Sequence, residues 1–131
     1  MNSGAIWDNM DADLKAALEA VKVKVPQDSY SPTIIDWEGK LFLPREHDLF
    51  STREYSFQAE WDLITQDQYY QENNTDSARK KYKKNSSSSD DYWGMSPVAN
   101  NGGRVFYVTP EGSATGYYST YPFGVSLRFA L

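Results

Sequence analysis

The sequence predicts an α+β domain in which one or two helices pack on a small, mostly antiparallel sheet with long loops. Three observations point there. Residues 11–22 carry a helical apolar period, the stretch from Tyr92 to Leu131 reads as short aromatic strands parted by Gly, Ser, Asn and Tyr loops, and polar tracts separate the two regions.

In the first region Leu14, Ala17, Leu18 and Val21 recur at i, i+3, i+4 and i+7, while Lys15, Glu19 and Lys22 fall elsewhere, so a helix over 11–22 is expected with Asn9 or Asp11 as its cap. Val21–Val25 then alternates with period two, and Pro26 is expected to stop it. Thr33–Trp37 and Lys40–Leu43 flank Glu38-Gly39, which reads as a tight turn between extended segments. Pro44 opens a short helix over the following Arg45–Phe50. Phe57, Trp61 and Ile64 again have helical spacing, as do Gln66, Tyr69 and Tyr70. The tracts around Asn73 and Ser86 are loops, and the basic run Arg79–Lys84 between them reads as an exposed strand with Tyr82 turned inward. Thr109-Pro110-Glu111-Gly112 has Pro second and Gly fourth, the pattern of a type I turn, and closes a hairpin between Arg104–Thr109 and the segment from Ser113. In the last strand Val125, Leu127, Phe129 and Leu131 alternate with polar or small residues, which predicts one buried face.

With 131 residues and 15% aromatics, the chain is long enough for a single domain with a real core. Its net charge is -5, but five of the thirteen basic residues lie in 79–84; the other eight stand against 18 acidic residues, a balance of -10 outside that run. Such a surface repels nucleic acid everywhere except one short stripe, so no nucleic-acid partner is expected. No run approaches 18 apolar residues, and the N-terminus has neither a basic nor an apolar signal region, so a soluble chain without membrane insertion or its own secretion signal is expected. Cysteine is absent, which excludes disulfides, thiolate metal sites and cysteine nucleophiles.

Residues suited to acid-base chemistry are few. Glu60 and Asp62 flank Trp61, but a carboxylate pair for glycoside hydrolysis must straddle a sugar bond, and the simpler reading is charges beside a buried Trp. His47 is the only histidine, so a triad or metal site would have to be built on Glu46-His47-Asp48 alone. No catalytic residue, metal site or cofactor is expected. The Tyr-rich loop Gly116–Phe123 points elsewhere. Tyr offers large contact area with few rotatable bonds and a polar tip, and clusters of Tyr with Ser, Gly and Asn are what recognition loops use. Asn100-Asn101-Gly102-Gly103 forms a neighbouring loop, with Trp93 at its base.

The order of these features resembles the C-type-lectin-like domains of bacteriophage tail and head-fibre proteins, bacterial surface proteins and retroelement-diversified proteins. The residues that carry the resemblance are the helix at 11–22, Leu41-Phe42-Leu43-Pro44 with Glu46 and Phe50, Arg79 with Tyr82, Trp93-Gly94-Met95-Ser96-Pro97, Phe106-Tyr107-Val108 with Glu111-Gly112, and Phe123-Gly124-Val125. Two departures matter. The family often continues Gly-Val-Arg-Pro, whereas this chain has Gly124-Val125-Ser126-Leu127-Arg128, and the calcium-dependent sugar motifs Glu-Pro-Asn, Gln-Pro-Asp and Trp-Asn-Asp do not occur. The related formylglycine-generating activity needs cysteines and is excluded.

The resemblance implies a ligand face on the last strands and their loops, displayed on a virion or bacterial cell surface. Together with the residue reading, it leads to an expectation of non-enzymatic recognition of a cell-surface glycan or protein through Trp93, Asn100, Asn101, Arg104, Tyr107, Tyr117, Tyr118 and Tyr121. The alternative is a structural role, with the same surface packed against virion or fibre subunits or another copy in a homo-oligomer. Residues 1–131 are read as one such domain, of a kind often carried at the tip of a longer protein.

Overall fold

The structure is a computed structural model that describes residues 5–83 and 85–131. Six short helices and eight strands follow in the order α1 (Ala5–Asp8), α2 (Ala12–Ala17), β1 (Val21–Asp28), β2 (Ser31–Gly39), α3 (Glu46–Leu49), α4 (Gln58–Leu63), α5 (Gln68–Glu72), α6 (Asp76–Arg79), β3 (Lys81–Tyr82), β4 (Ser89–Asp90), β5 (Tyr92–Pro97), β6 (Arg104–Val108), β7 (Ala114–Tyr118) and β8 (Gly124–Val125) among the described residues. This is an α+β domain. Its sheets are two hairpins, β1–β2 and β3–β4, and a four-stranded sheet of order β7-β6-β5-β8, in which β8 runs parallel to β5 and the other pairs are antiparallel.

The N-terminal helix is shorter than its apolar period predicts. Asp11 caps it, its carboxylate accepting the N–H groups of Asp13 and Leu14, but the chain turns extended at Leu18, which is buried. Sheet pairing overrides the helical period here: β-branched Val21, Val23 and Val25 enter β1 and pair with Gly39, Trp37 and Ile35. Pro26 does not stop the strand. It sits opposite Ile34 next to an irregularity in the register, where a missing N–H is tolerated. The tight turn falls at Ser29-Tyr30 and not at Glu38-Gly39, because the Asp28 carboxylate accepts the N–H groups of Tyr30 and Ser31 at 2.8 and 2.9 Å. Residues 40–43 form no strand, Phe42 making a single bridge to Arg128.

The helical spacing at 57–71 resolves into α4 and α5, and the α4 end holds a buried polar cluster. The Glu46 carboxylate accepts the N–H groups of Glu54 and Ser56 at 2.8 and 2.7 Å and the Ser56 hydroxyl at 2.5 Å. The Ser56 oxygen in turn accepts the Trp61 indole N–H at 2.7 Å. From β5, the Ser96 hydroxyl donates to Glu60 at 2.7 Å and accepts the Glu46 N–H at 2.9 Å. The bonds to the Glu46 carboxylate are charge-assisted, a kind worth roughly 1.5–3 kcal/mol each.

The basic run does not form a single exposed strand. Arg79 ends α6 and is buried, donating to the Gly112 carbonyl at 2.9 Å and to Asp76 at 2.6 Å, with its guanidinium 4.2 Å from the Phe50 ring centre. Tyr82 faces outward, 56% exposed, because β3 pairs only with the short β4 and offers no core to enter. Lys84 lies outside the described residues. Between these segments, Leu49, Tyr70, Tyr92, Phe106 and Val108 form the apolar core.

The Thr109–Gly112 turn forms as its residues predict, the Gly112 N–H reaching the Thr109 carbonyl at 2.9 Å and leading into the β6–β7 register. The terminal alternation fails instead: Val125, Phe129 and Leu131 are exposed. Arg128 decides this, since it turns inward to pair with Asp48 at 3.2 Å and with Asp67. Only Gly124-Val125 remains as strand, and of the apolar members of the alternation Leu127 alone is half-buried.

Gly112 has φ of +91°, and a Cβ there would lie 1.9 Å from the Asp76 carbonyl oxygen. Gly112→Ala is expected to cost about 2–4 kcal/mol, whereas at Gly103, also at positive φ but with its nearest neighbour 3.6 Å away, Ala costs about 1 kcal/mol. Urea unfolding of both variants measures the contrast.

Burial pushes the Glu60 carboxyl up to about 7 from 4.5, with Glu46 adding to the rise and Ser96, Ser56 and Arg45 opposing it. Below pH 4.5 the group is protonated folded and unfolded alike; above it, the unfolded chain releases a proton that the fold retains. Its stabilising contribution is therefore lost as pH rises through 7, by on the order of 3 kcal/mol. Relative to wild type, Glu60→Gln should gain stability between pH 5 and 7.5 in denaturant melts. A difference independent of pH would refute the assignment.

Candidate functional site

Strand parity places the aromatic residues of the last forty positions on two sides of the four-stranded sheet. Tyr92 opposite Val108, and Phe106 beside it, point into the core. The intervening residues point out: Trp93 opposite Tyr107, Tyr107 opposite Thr115, Val105 opposite Tyr117, and Val125 beside Trp93. Gly124 is positioned for this by its N–H, which donates to the Asp91 carbonyl at 3.1 Å and sets β8 against β5. The outer face is thus built by ladder register, not by the loop alone.

Phe123 joins these rings into one surface. Its centroid lies 4.3 Å from Tyr107, 4.8 Å from Trp93, 5.0 Å from Tyr121 and 6.2 Å from Tyr117. Tyr117 and Tyr121 meet at 4.8 Å and 70°, and Trp93 and Tyr107 at 5.8 Å and 69°, the edge-to-face geometry that aromatic quadrupoles favour. The Tyr121 N–H donates to the Tyr118 carbonyl at 3.0 Å, folding the loop back over the sheet. Tyr117 and Tyr121 are 41% and 50% exposed, so the cluster offers open ring faces and free phenolic tips while its base is packed. Burial and the nearby Asp91 push the Tyr107 hydroxyl above its ordinary range, which keeps it a hydrogen-bond donor.

Four expected site residues, Trp93, Tyr107, Tyr117 and Tyr121, therefore belong to one patch. The other four form a second group at the sheet end. Tyr118 sits opposite Arg104, whose guanidinium lies 4.9 Å from its ring centre. Asn100, at φ of +60°, donates its N–H to the Ser29 carbonyl at 2.7 Å, and Asn101 is exposed beside it. Phe123, central to the first patch, is not among the residues expected from the sequence. Its signal was the position between Pro122 and Gly124, where the chain must turn from loop into strand.

The acid-base candidates do not converge. Glu60 is 1% exposed and bound to Ser96, while Asp62 points to solvent and accepts from the Gln58 amide at 2.9 Å. The His47 ring stacks on Trp61 at 3.8 Å and donates to the Phe50 carbonyl at 3.2 Å. Among the described residues, no group of three or more His, Asp and Glu side chains is placed to hold a metal ion, and no helix is long and apolar enough to cross a membrane.

No curated protein and no solved structure matches the chain, so the resemblance to C-type-lectin-like domains rests on its motifs alone. One family model does match, over residues 1–131, and by that match the chain belongs to DUF6273, a domain of unknown function.

Proposed function

We propose that this domain is a non-enzymatic recognition module of C-type-lectin-like architecture, displayed on a phage or bacterial surface, that binds a cell-surface glycan or protein. The observation that carries this reading is the five-ring patch of Trp93, Tyr107, Tyr117, Tyr121 and Phe123, packed at its base and open at its rim. Aromatic faces with phenolic hydroxyls stack on apolar surfaces and hydrogen-bond at the edge, and their pre-packing lowers the entropic cost of binding. The long loops, the small antiparallel sheet and the terminal strand laid along β5 support the architectural part.

A second reading, a structural subunit of a virion or fibre or a homo-oligomer, draws on a different observation. Val125, Phe129 and Leu131 lie exposed along the terminal segment, a short apolar edge that a neighbouring subunit would cover.

The purified domain should bind members of a panel of bacterial cells and glycans with or without chelator. Tyr117→Ser combined with Tyr121→Ser should weaken that binding about 10- to 100-fold in a domain that still unfolds cooperatively, with its midpoint lowered by the lost ring contacts. If the folded wild type binds nothing on the panel, and Phe129→Asp abolishes self-association, the structural reading replaces this one.

A further inference from the structure

We propose that the groove beside Arg104 is a subsite for the carboxylate of an acidic sugar. This deepens the recognition reading and rests on it. The groove has a volume of about 370 Å³ and lies between the β1–β2 turn and the sheet end, with Tyr30, Pro97, Gly103, Arg104, Val105 and Ser119 among its walls. That volume lies at the small end of the range for ligand pockets, suited to a compact unit and not to an extended chain.

Arg104 is held in place without being used up. Its N–H donates to the Asn101 carbonyl at 3.3 Å, its carbonyl accepts the Val98 N–H at 3.1 Å, and its guanidinium rests on the Tyr118 ring. Yet its Nε is buried and has no hydrogen-bond partner, and the guanidinium enters no ion pair among the described residues. An arginine left unpaired in a chain of net charge -5, where carboxylates are plentiful, is a donor fork waiting for an outside acceptor. Planar N–H pairs of this kind match a carboxylate bidentately.

The rest of the groove suits a sugar. Tyr30 stands at its edge, 75% exposed, with its hydroxyl packed so closely on Gly102 that a Cβ there would lie 1.9 Å away. A ring face held this way stacks on the C–H face of a pyranose, while Pro97 and Val105 supply apolar floor and Ser119 a hydroxyl. Asp28 also lines the groove, and its repulsion of an anion is offset only in part by the Tyr30 and Ser31 N–H groups that its Oδ1 accepts.

The test titrates the domain with oligosaccharides bearing uronate or sialate units and with their methyl esters, which keep the shape and lose the charge. Binding is followed by calorimetry and by the Arg104 Nε–H resonance. The acids should bind at least tenfold more tightly than the esters and shift that resonance; Arg104→Gln should erase the difference, and Arg104→Lys should recover only part of it. Tyr30→Ala, an exposed change that leaves Arg104 untouched, should weaken acid and ester alike. Equal binding of acids and esters, or an acid preference that survives Arg104→Gln in a folded variant, overturns the proposal. So does a preference for acidic peptides over acidic sugars. If acid and ester bind equally and both are lost in the Tyr117→Ser, Tyr121→Ser variant, the recognition reading stands without this subsite. An acid preference that persists in that variant and vanishes in Arg104→Gln supports the subsite and removes the five-ring patch from the binding face.

Discussion

The Glu46 carboxylate, fully buried, gathers the backbone N–H groups of residues 54–56 and the Ser56 hydroxyl, and its own N–H is held by Ser96 from β5. A charge taken out of water must be met by donors, and here all of them come from the segment 54–56 that leads into α4. The tie to the sheet runs the other way, the Ser96 oxygen of β5 accepting the Glu46 N–H. Glu60 occupies the same space on different terms: with fewer donors, and beside Glu46, it is pushed up to about 7 and keeps its proton where ordinary glutamates have lost theirs.

The position of the aromatic face follows from this anchoring. Ser96 points inward to reach Glu60, and Tyr92 points inward to donate to the Arg79 carbonyl at 2.6 Å. With those two positions of β5 committed to the interior, alternation sends Trp93 outward, and the β6 partner opposite it brings Tyr107 to the same side. The five rings on that face are joined through Phe123, and such pre-packing would limit the freedom lost in the binding proposed above. The groove at the sheet end shares this support, since the Asn100 and Arg104 backbones are tied to the β1–β2 turn and to the loop after β5.

Several charged residues serve the fold where their sequence context reads as surface. Arg79 belongs to a basic run but lies on Phe50 and fixes the Gly112 turn to α6, while Arg128 breaks an apolar alternation by turning toward Asp48 and Asp67. Arg104 differs from both because its guanidinium has no acidic partner among the described residues.

Short-range chemistry was readable from the residues alone. The Asp11 cap, the α3 start after Pro44 and the Thr109–Gly112 turn each depend on groups within a few positions, and the Tyr-rich composition of 116–123 marks a displayed surface whatever its neighbours. Wherever two local preferences competed, tertiary pairing decided: Val21 and Lys22 left the helical period for the strand, the hairpin turned at Ser29-Tyr30, and the terminal alternation gave way to Arg128. Glu46, Glu60 and Phe123 acquired their roles only through partners brought together by the fold, Ser96 lying 50 and 36 positions from the two glutamates. The sequence by itself determined the α+β class, the Asp11 cap, the Thr109–Gly112 turn and the aromatic character of the C-terminal surface, because turns and caps act over a few bonds and composition needs no partner. Which carboxylates are buried, which arginines find an acidic partner and which rings meet was left to the tertiary structure, because desolvation and pairing energies exist only once distant segments close around a group.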